Sequence, residues 1–267
     1  MLQYSHKTKT EVKGAMKMSD LRVFKRYEKK YLLTKERYEA FFMDYFDKLD
    51  PDEYPENLIQ NIYYDTANYR LIRDSLDKPV YKEKLRLRCY NEIKHGEPAY
   101  LEIKKKYEGI VYKRREKIDV DKADAFVRGE GTEPGSQIGR ELEYFAKYYG
   151  DLRPAMYLSY YRTAWVLKDD RSIRITFDTD LTYRTENVNL ISGSYGAKLL
   201  PKGSVLMEIK CGDAYPLELV RLLEKYSIYP TSFSKYGLAY SKLALKAAVG
   251  AAEAAKAYAA RRQVMYA

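Results

Sequence analysis

Alternating cations along one short segment are the first feature of this sequence that could do chemistry. In YKEKLRLRCY, residues 81–90, alternate positions carry Lys82, Lys84, Arg86 and Arg88, and the positions between them are mainly apolar. Successive side chains of a strand point to opposite faces, so the pattern predicts a strand with one cationic face and one apolar face. A row of cations of this kind faces either water or a negatively charged ligand.

Four further segments alternate in the same way between apolar and charged positions. The charged sets are Glu28 and Lys30 in residues 21–33, Glu102, Lys104 and Lys106 in 99–106, Arg174, Thr176, Asp178 and Asp180 in 171–180, and Glu208 and Lys210 in 205–211. An ordinary sheet with one wet face would give the same pattern. Like charges on neighbouring strands repel, however, unless a counter-charge is present. The abundance of Lys and Arg therefore favours a sheet curled around an anion, with the carboxylates holding a divalent cation.

Composition limits the class of protein. The formal net charge is +10 at pH 7, which indicates an anionic partner such as nucleic acid, a membrane surface or a phosphate-rich molecule. Two cysteines suggest a reducing compartment. With no apolar stretch near the N-terminus and no apolar run of ~18 residues, we expect a cytoplasmic protein without a signal peptide or membrane span.

The order of predicted elements indicates an α+β fold. We expect a flexible lead over 1–20, one domain over 21–240 and an Ala-rich helix over 241–267. Thr34 is a predicted N-cap for a helix whose aromatic side chains recur at helical spacing. Further helices are predicted over 121–129, 136–150 and 216–226.

Nine short motifs, taken in order, resemble a known family. They are RYEKKY at 26–31, YYD at 63–65, KLRLR at 84–88, LEIKKK at 101–106, YKRR at 112–115, YRTA at 161–164, RITFDTDL at 174–181, MEIK at 207–210 and SKY at 234–236. Together they resemble the VTC-type polyphosphate polymerase domain, the catalytic domain of the yeast vacuolar transporter chaperone complex and its bacterial relatives. That domain belongs to the triphosphate tunnel superfamily, with CYTH phosphatases and class IV adenylate cyclases. The resemblance extends from about residue 22 to residue 240.

The resemblance implies an antiparallel β-barrel, the triphosphate tunnel fold, with helices packed on its outside. Its implied activity is transfer of the γ-phosphoryl group of ATP to a growing polyphosphate chain, with release of ADP, assisted by Mn²⁺ or Mg²⁺. Orthophosphate or pyrophosphate would serve as primer. The yeast relative works in a membrane complex, so the resemblance allows a separate membrane-protein partner. A nucleic-acid binder ranks last among the alternatives, because the cations alternate on strands and do not cluster on an exposed helix.

Motif matches assign site residues. The implied catalytic residues are Arg86, Arg88, Lys104, Arg162, Arg174 and Glu208, with Lys30, Lys113, Ser234 and Lys235 as further phosphate contacts and Glu208 as the metal ligand. Tyr160 is implied to lie near the nucleotide base. From the charged faces we add Lys84 and Lys210 as phosphate contacts, and Glu28 and Glu102 as metal ligands.

Two departures from the superfamily pattern bear on the function, and the first favours the polymerase branch. Arg26 stands where many tunnel phosphatases have the first Glu of Glu-x-Glu-x-Lys, which argues against two-metal hydrolysis, and Ser232 replaces a basic residue of some relatives. The alternatives are a tunnel triphosphatase or nucleotide cyclase, and a non-catalytic module that binds polyphosphate or inositol phosphates. The sequence shows no P-loop, no zinc-type Cys/His spacing and no Ser-His-Asp set.

Overall fold

A computed structural model describes residues 27–108, 110–131 and 135–265, with side chains to residue 253. The described strands are β1 (Tyr27–Leu33), β2 (Leu49–Asp65), β3 (Tyr81–Tyr90), β4 (Pro98–Tyr107), β5 (Ile110–Asp119), β6 (Arg153–Leu167), β7 (Arg174–Arg184), β8 (Ala197–Lys198) and β9 (Val205–Cys211). The helices are α1 (Lys35–Tyr45), α2 (Arg70–Leu76), α3 (Ala123–Val127), α4 (Gln137–Tyr149), α5 (Leu217–Lys225) and α6 (Lys235–Met265). The predicted lead over 1–20, and Arg26, lie outside the described residues.

The strands form one antiparallel sheet in the order β1-β9-β7-β6-β2-β3-β4-β5, and β8 pairs with β7. The prediction of an α+β fold built on antiparallel strands is confirmed. Within the described residues no hydrogen-bonded ladder joins the edge strands β1 and β5, so the curled sheet is not closed into a barrel by backbone hydrogen bonds. The segment before α6 bridges the concave side, because Lys30 of β1 donates to the Phe233 carbonyl and Lys84 of β3 donates to Ser234.

Helices cover the outer face of the sheet, as the alternation predicted. Leu85, Leu87 and Cys89 of β3 pack in one apolar cluster with Phe126 of α3 and Phe145 of α4. A second cluster joins the apolar positions of β1, β7 and β9 to α1 and α5. The aromatic stripe of α1 belongs to that second cluster, and the helix begins at its predicted cap, since the Thr34 side chain accepts a hydrogen bond from the Arg37 backbone N–H. Burial of these apolar faces therefore directs the charged positions to the inside of the curve.

A third apolar cluster includes side chains of the inner face. Tyr63, Leu158, Leu206 and Tyr236 are among its buried members, and Tyr236 comes from the first turn of α6. The start of α6 thus fills part of the concave side of the sheet with apolar side chains. The remaining part of the inner face carries the charged residues.

Some elements differ from the sequence-based predictions. β2 begins at Leu49, whereas the strand pattern of the sequence predicts a strand only from residue 57, and its register is irregular between Pro51 and Glu56. Proline has no backbone N–H to donate to a strand ladder, so a segment that contains proline is not recognised as a strand from its sequence. The C-terminal helix starts at Lys235, before the predicted Ser241. Among the described helices, none is both long enough and apolar enough to cross a membrane.

Candidate anion-binding site

Strand register places the charged predicted site residues of the sheet on its inner face. The predicted site residues other than Tyr160 come from eight elements: Glu28 and Lys30 from β1, Lys84, Arg86 and Arg88 from β3, Glu102 and Lys104 from β4, Lys113 from β5, Arg162 from β6, Arg174 from β7, Glu208 and Lys210 from β9, and Lys235 from α6, which Ser234 precedes. Tyr160 of β6 lies beneath them and is 3% exposed.

Three lysines stand side by side across neighbouring strands. Lys84 of β3 is directly opposite Lys104 of β4, which is directly opposite Lys113 of β5. Like charges in directly opposite positions destabilise a sheet. An anion bound on the inner face would therefore reduce the repulsion within this row of cations.

Two of these lysines lack a carboxylate partner. Lys84 donates to the Ser234 hydroxyl at 3.0 Å, and among the described residues neither Lys84 nor Lys104 forms an ion pair. Burial, assisted by neighbouring cations including Lys104, lowers the pKa of Lys84 to about 7. Burial likewise lowers the pKa of Lys104 to about 8, against the opposing effect of Glu28. An anionic ligand would favour the charged form of both ammonium groups and raise both pKa values.

Glu102 is the centre of one buried ion cluster. Its Oε2 accepts from Arg86 Nε at 2.8 Å, its Oε1 is 2.6 Å from Lys113 Nζ, and its side chain is 1% exposed. Burial would raise the pKa of Glu102, but Arg86, Arg88 and Lys113 outweigh burial and lower that pKa to about 2. Both carboxylate oxygens are occupied by cations of the protein. The predicted metal role of Glu102 therefore requires these ion pairs to open.

Asp178 is the centre of a second buried ion cluster. Arg162 donates to its two oxygens at 2.6 and 2.8 Å, and Lys235 Nζ is 2.6 Å from Oδ2. Although burial opposes ionisation, Arg162 and Lys235 keep the pKa of Asp178 below its usual value. The sequence analysis placed Asp178 on the charged face but gave it no role.

Tyr160 joins the cations of this second cluster to β3. Its hydroxyl accepts from Arg88 at 3.3 Å, and Lys235 Nζ lies 4.4 Å from its ring centroid. Burial would raise the pKa of Tyr160, but Arg88, Arg162 and Lys235 lower it to about 8. The ring contacts cations that are predicted to bind phosphate, and its assignment to the nucleotide base stays a prediction.

Glu28 and Glu208 form the part of the site that fits a divalent cation. Both approach Lys210, at 3.8 Å from Glu28 Oε2 and 2.7 Å from Glu208 Oε1. Burial opposes ionisation of Glu208, yet Lys210, Arg162 and Lys30 hold its pKa well below the usual value. Across the described parts of the chain no group of three or more His, Cys, Asp or Glu side chains is placed to hold a metal. Two carboxylates completed by phosphate oxygens are nevertheless a normal Mg²⁺ or Mn²⁺ environment.

Arg174 lies apart from both ion clusters. Its Nε is 2.5 Å from an oxygen of Asp52, and its side chain is 41% exposed. Asp52 lies in the proline-interrupted part of β2, so sequence analysis missed this partner. It also missed Asn61 and Tyr63, which accept hydrogen bonds from Arg88 and Arg86. Asn61 and Tyr63 lie directly opposite Arg88 and Arg86 in the register of β2 with β3, so their side chains point to the same face of the sheet.

The predicted site therefore lies on the inner face of an antiparallel sheet, among cations and carboxylates from several strands. The profile of the VTC domain matches residues 25–244, and the chain belongs to the VTC domain family. This confirms the resemblance seen in the nine motifs.

Comparison with solved structures finds distant likenesses. A Bacillus halodurans protein, provisionally an adenylate cyclase, is 14% identical with a TM-score of 0.49, over 78% of this chain and 92% of that one. A Vibrio parahaemolyticus protein with the same provisional assignment is 12% identical with a TM-score of 0.42, over 80% and 97%. A Mimivirus capping enzyme triphosphatase is 10% identical with a TM-score of 0.32, over 75% and 89%. No activity of this chain follows from these likenesses. Among curated proteins, none matches the chain.

Proposed function

We propose that this chain is a polyphosphate polymerase that transfers the γ-phosphoryl group of ATP to the end of a polyphosphate chain and releases ADP. The observation that carries the proposal is the row formed by Lys84, Lys104 and Lys113, two of which have no carboxylate partner. Such a row fits a ligand with regularly spaced negative charges. Membership of the VTC domain family supports the identification of that ligand as polyphosphate.

The proposed reaction needs mainly positioning and charge stabilisation from the protein. A terminal phosphate oxygen of the growing chain, or of orthophosphate or pyrophosphate as primer, attacks the γ-phosphorus in line. The new P–O–P bond forms as the bond between the γ-phosphorus and the β,γ-bridging oxygen breaks, and ADP carries away that electron pair. Arg86, Arg88 and Arg162 would bind phosphoryl oxygens through their planar guanidinium groups, while Lys30, Lys84 and Lys104 act as point charges. A general base is not required, because the attacking oxygen is already anionic.

Glu208 and Glu28 are the proposed ligands of Mn²⁺ or Mg²⁺. Such an ion neutralises charge on the triphosphate when bound. For both side chains to bind it, Lys210 would leave Glu208, whose Oε1 is now 2.7 Å from its ammonium, and approach phosphate instead. Lys30 would likewise leave Glu28, whose Oε1 is 3.0 Å from the Lys30 ammonium. Lys210 would thus exchange a carboxylate for a phosphate oxygen.

The direct test is incubation of the purified protein with ATP and Mn²⁺, followed by measurement of ADP and of polymer length on a gel. Polymer with a matching amount of ADP is the expected result. Orthophosphate without polymer would identify a triphosphatase and contradict the proposal. Tight binding of triphosphate without turnover would identify a binding module, and a cyclic nucleotide with pyrophosphate would identify a cyclase.

The Glu208→Gln substitution tests the metal site. It removes a negative charge while keeping the shape of the side chain, so we expect loss of turnover with retained binding of tripolyphosphate. Glu92→Gln is the matched control, because Glu92 is exposed and lies outside the strands that carry the site residues. Turnover of Glu208→Gln equal to that of the control would show that Glu208 binds no essential metal.

A further inference from the structure

Each of two buried carboxylates forms ion pairs with two of the cations that the proposed function assigns to phosphate binding. Glu102 holds Arg86 and Lys113, and Asp178 holds Arg162 and Lys235. Neither carboxylate is more than 1% exposed. The inner face therefore contains its own anions, fixed beneath the cations that would contact a ligand.

Asp178 is the clearer case, because it brings together cations from separate elements. Arg162 lies on β6 opposite Asp178 in the register, whereas Lys235 begins α6. The side-on pair with Arg162 uses Nε and one terminal nitrogen, and leaves the other terminal nitrogen without a hydrogen-bond partner among the described residues. The Arg162 and Lys235 side chains are 13% and 12% exposed. Both cations are thus accessible at one side while bound to Asp178 at the other.

A fixed internal anion has two effects on a cationic site. It holds the cations in place when no ligand is bound, which reduces their repulsion. It also lowers the positive potential that a polyanion meets, and so reduces affinity. A ligand that must advance through a site has to be bound weakly enough to leave each position.

We propose that Asp178 is an affinity-limiting and positioning residue: it competes with bound phosphate for Arg162 and Lys235, so that a polyphosphate chain is held without being trapped. This inference rests on the proposed function, since it takes a polyphosphate-type anion as the ligand of the inner face. It makes Asp178 part of the site although the ligand does not touch it.

Asp178→Asn tests the inference, with inorganic tripolyphosphate as the probe and calorimetry as the measurement. Removing the internal anion should tighten tripolyphosphate binding by ~5- to 50-fold, the range expected for one partly screened charge. The rate constant for dissociation of tripolyphosphate should fall. Where release of the polymer limits turnover, kcat should fall as well. The matched control is Asp180→Asn on the same strand, where the side chain is 62% exposed and pairs with Lys198, and its affinity should stay unchanged.

Tightening separates this role from a purely structural one, because a damaged site would bind more weakly. Unchanged or weaker binding by Asp178→Asn would overturn the inference. If that variant melts below the assay temperature, the double variant D178N/K235M, which removes one charge of each sign, is compared with K235M alone. Tighter binding by the double variant supports the role, and equal or weaker binding overturns it. Because binding is measured without nucleotide, failure of the polymerase assay leaves this result interpretable.

Discussion

At the residue scale, the cations of the inner face differ in whether a carboxylate of the protein compensates their charge. Arg86, Lys113, Arg162 and Lys235 are paired with internal carboxylates, whereas Lys84 and Lys104 are not. The unpaired ammonium groups have depressed pKa values, and burial is the principal cause. These two lysines can therefore change charge in the neutral to mildly alkaline range.

Binding of a polyanion should therefore depend on pH. An anion favours the charged ammonium, so binding should raise the pKa values of Lys84 and Lys104 from about 7 and about 8. Tripolyphosphate affinity should accordingly fall as pH rises between about 7 and 9, with protons taken up on binding. Calorimetry in buffers of different ionisation enthalpy measures this uptake.

The contribution of Lys84 to this uptake is isolated by comparing the wild type with Lys84→Met, which removes one titrating group. The variant should take up fewer protons on binding tripolyphosphate at about pH 8. Lys94→Met, at an exposed position, should behave like the wild type. Equal proton uptake by all three proteins would contradict the assignment of a depressed pKa to Lys84.

At the element scale, the start of α6 closes the site. Tyr236 stacks on Tyr63 of β2 with ring centroids 4.4 Å apart, and its hydroxyl donates to Asp65 at 2.8 Å. The same turn supplies Ser234 and Lys235 to the inner face. Docking of this one turn therefore positions two proposed phosphate contacts.

Tyr236→Phe should loosen this docking. The ring still stacks, but the buried Asp65 loses one donor, so the free energy of unfolding should fall by ~1–2 kcal/mol. Urea denaturation measures the change. Tyr229→Phe is the control at a 69% exposed position, and its stability should be unchanged. Identical midpoints for the two variants would show that the hydroxyl contact does not anchor α6.

At the scale of the whole molecule, the excess positive charge should make the stability of the folded state depend on a bound anion. The net charge is +10, and repelling cations are gathered on one inner face. A polyanion that binds only the folded state removes this repulsion. Stability should therefore rise with ligand concentration.

Thermal denaturation with tripolyphosphate tests this dependence. At a free concentration ~100 times the dissociation constant, the folded state should gain ~2.7 kcal/mol, seen as a higher melting temperature. The shift should shrink at high salt, because counterions screen the cations and compete with the ligand. Orthophosphate at equal total phosphorus should give a smaller shift. A shift that is insensitive to salt would contradict an electrostatic site.

The sequence by itself determined the strand faces, the helices that cover them and the family. Alternation in residues 81–90 and 205–211 requires only local geometry, and burial of the apolar set fixed which way the cations point. Helix α1 was predictable because Thr34 caps it locally. The roles assigned to individual site residues remain predictions.

Only the tertiary structure decided which charges meet. Asp178 and Lys235 are 57 positions apart, and their contact depends on how α6 docks inside the curved sheet. Likewise, alternation placed Glu28, Glu102 and Glu208 on the same face, but strand order put Glu102 between Arg86 and Lys113 and left Glu28 and Glu208 sharing Lys210. The physical reason is that side-chain direction is a local property of a strand, whereas ion pairing depends on strand order and register. The sequence thus determined that cations line the inside, and the fold decided which of them stay free for a ligand.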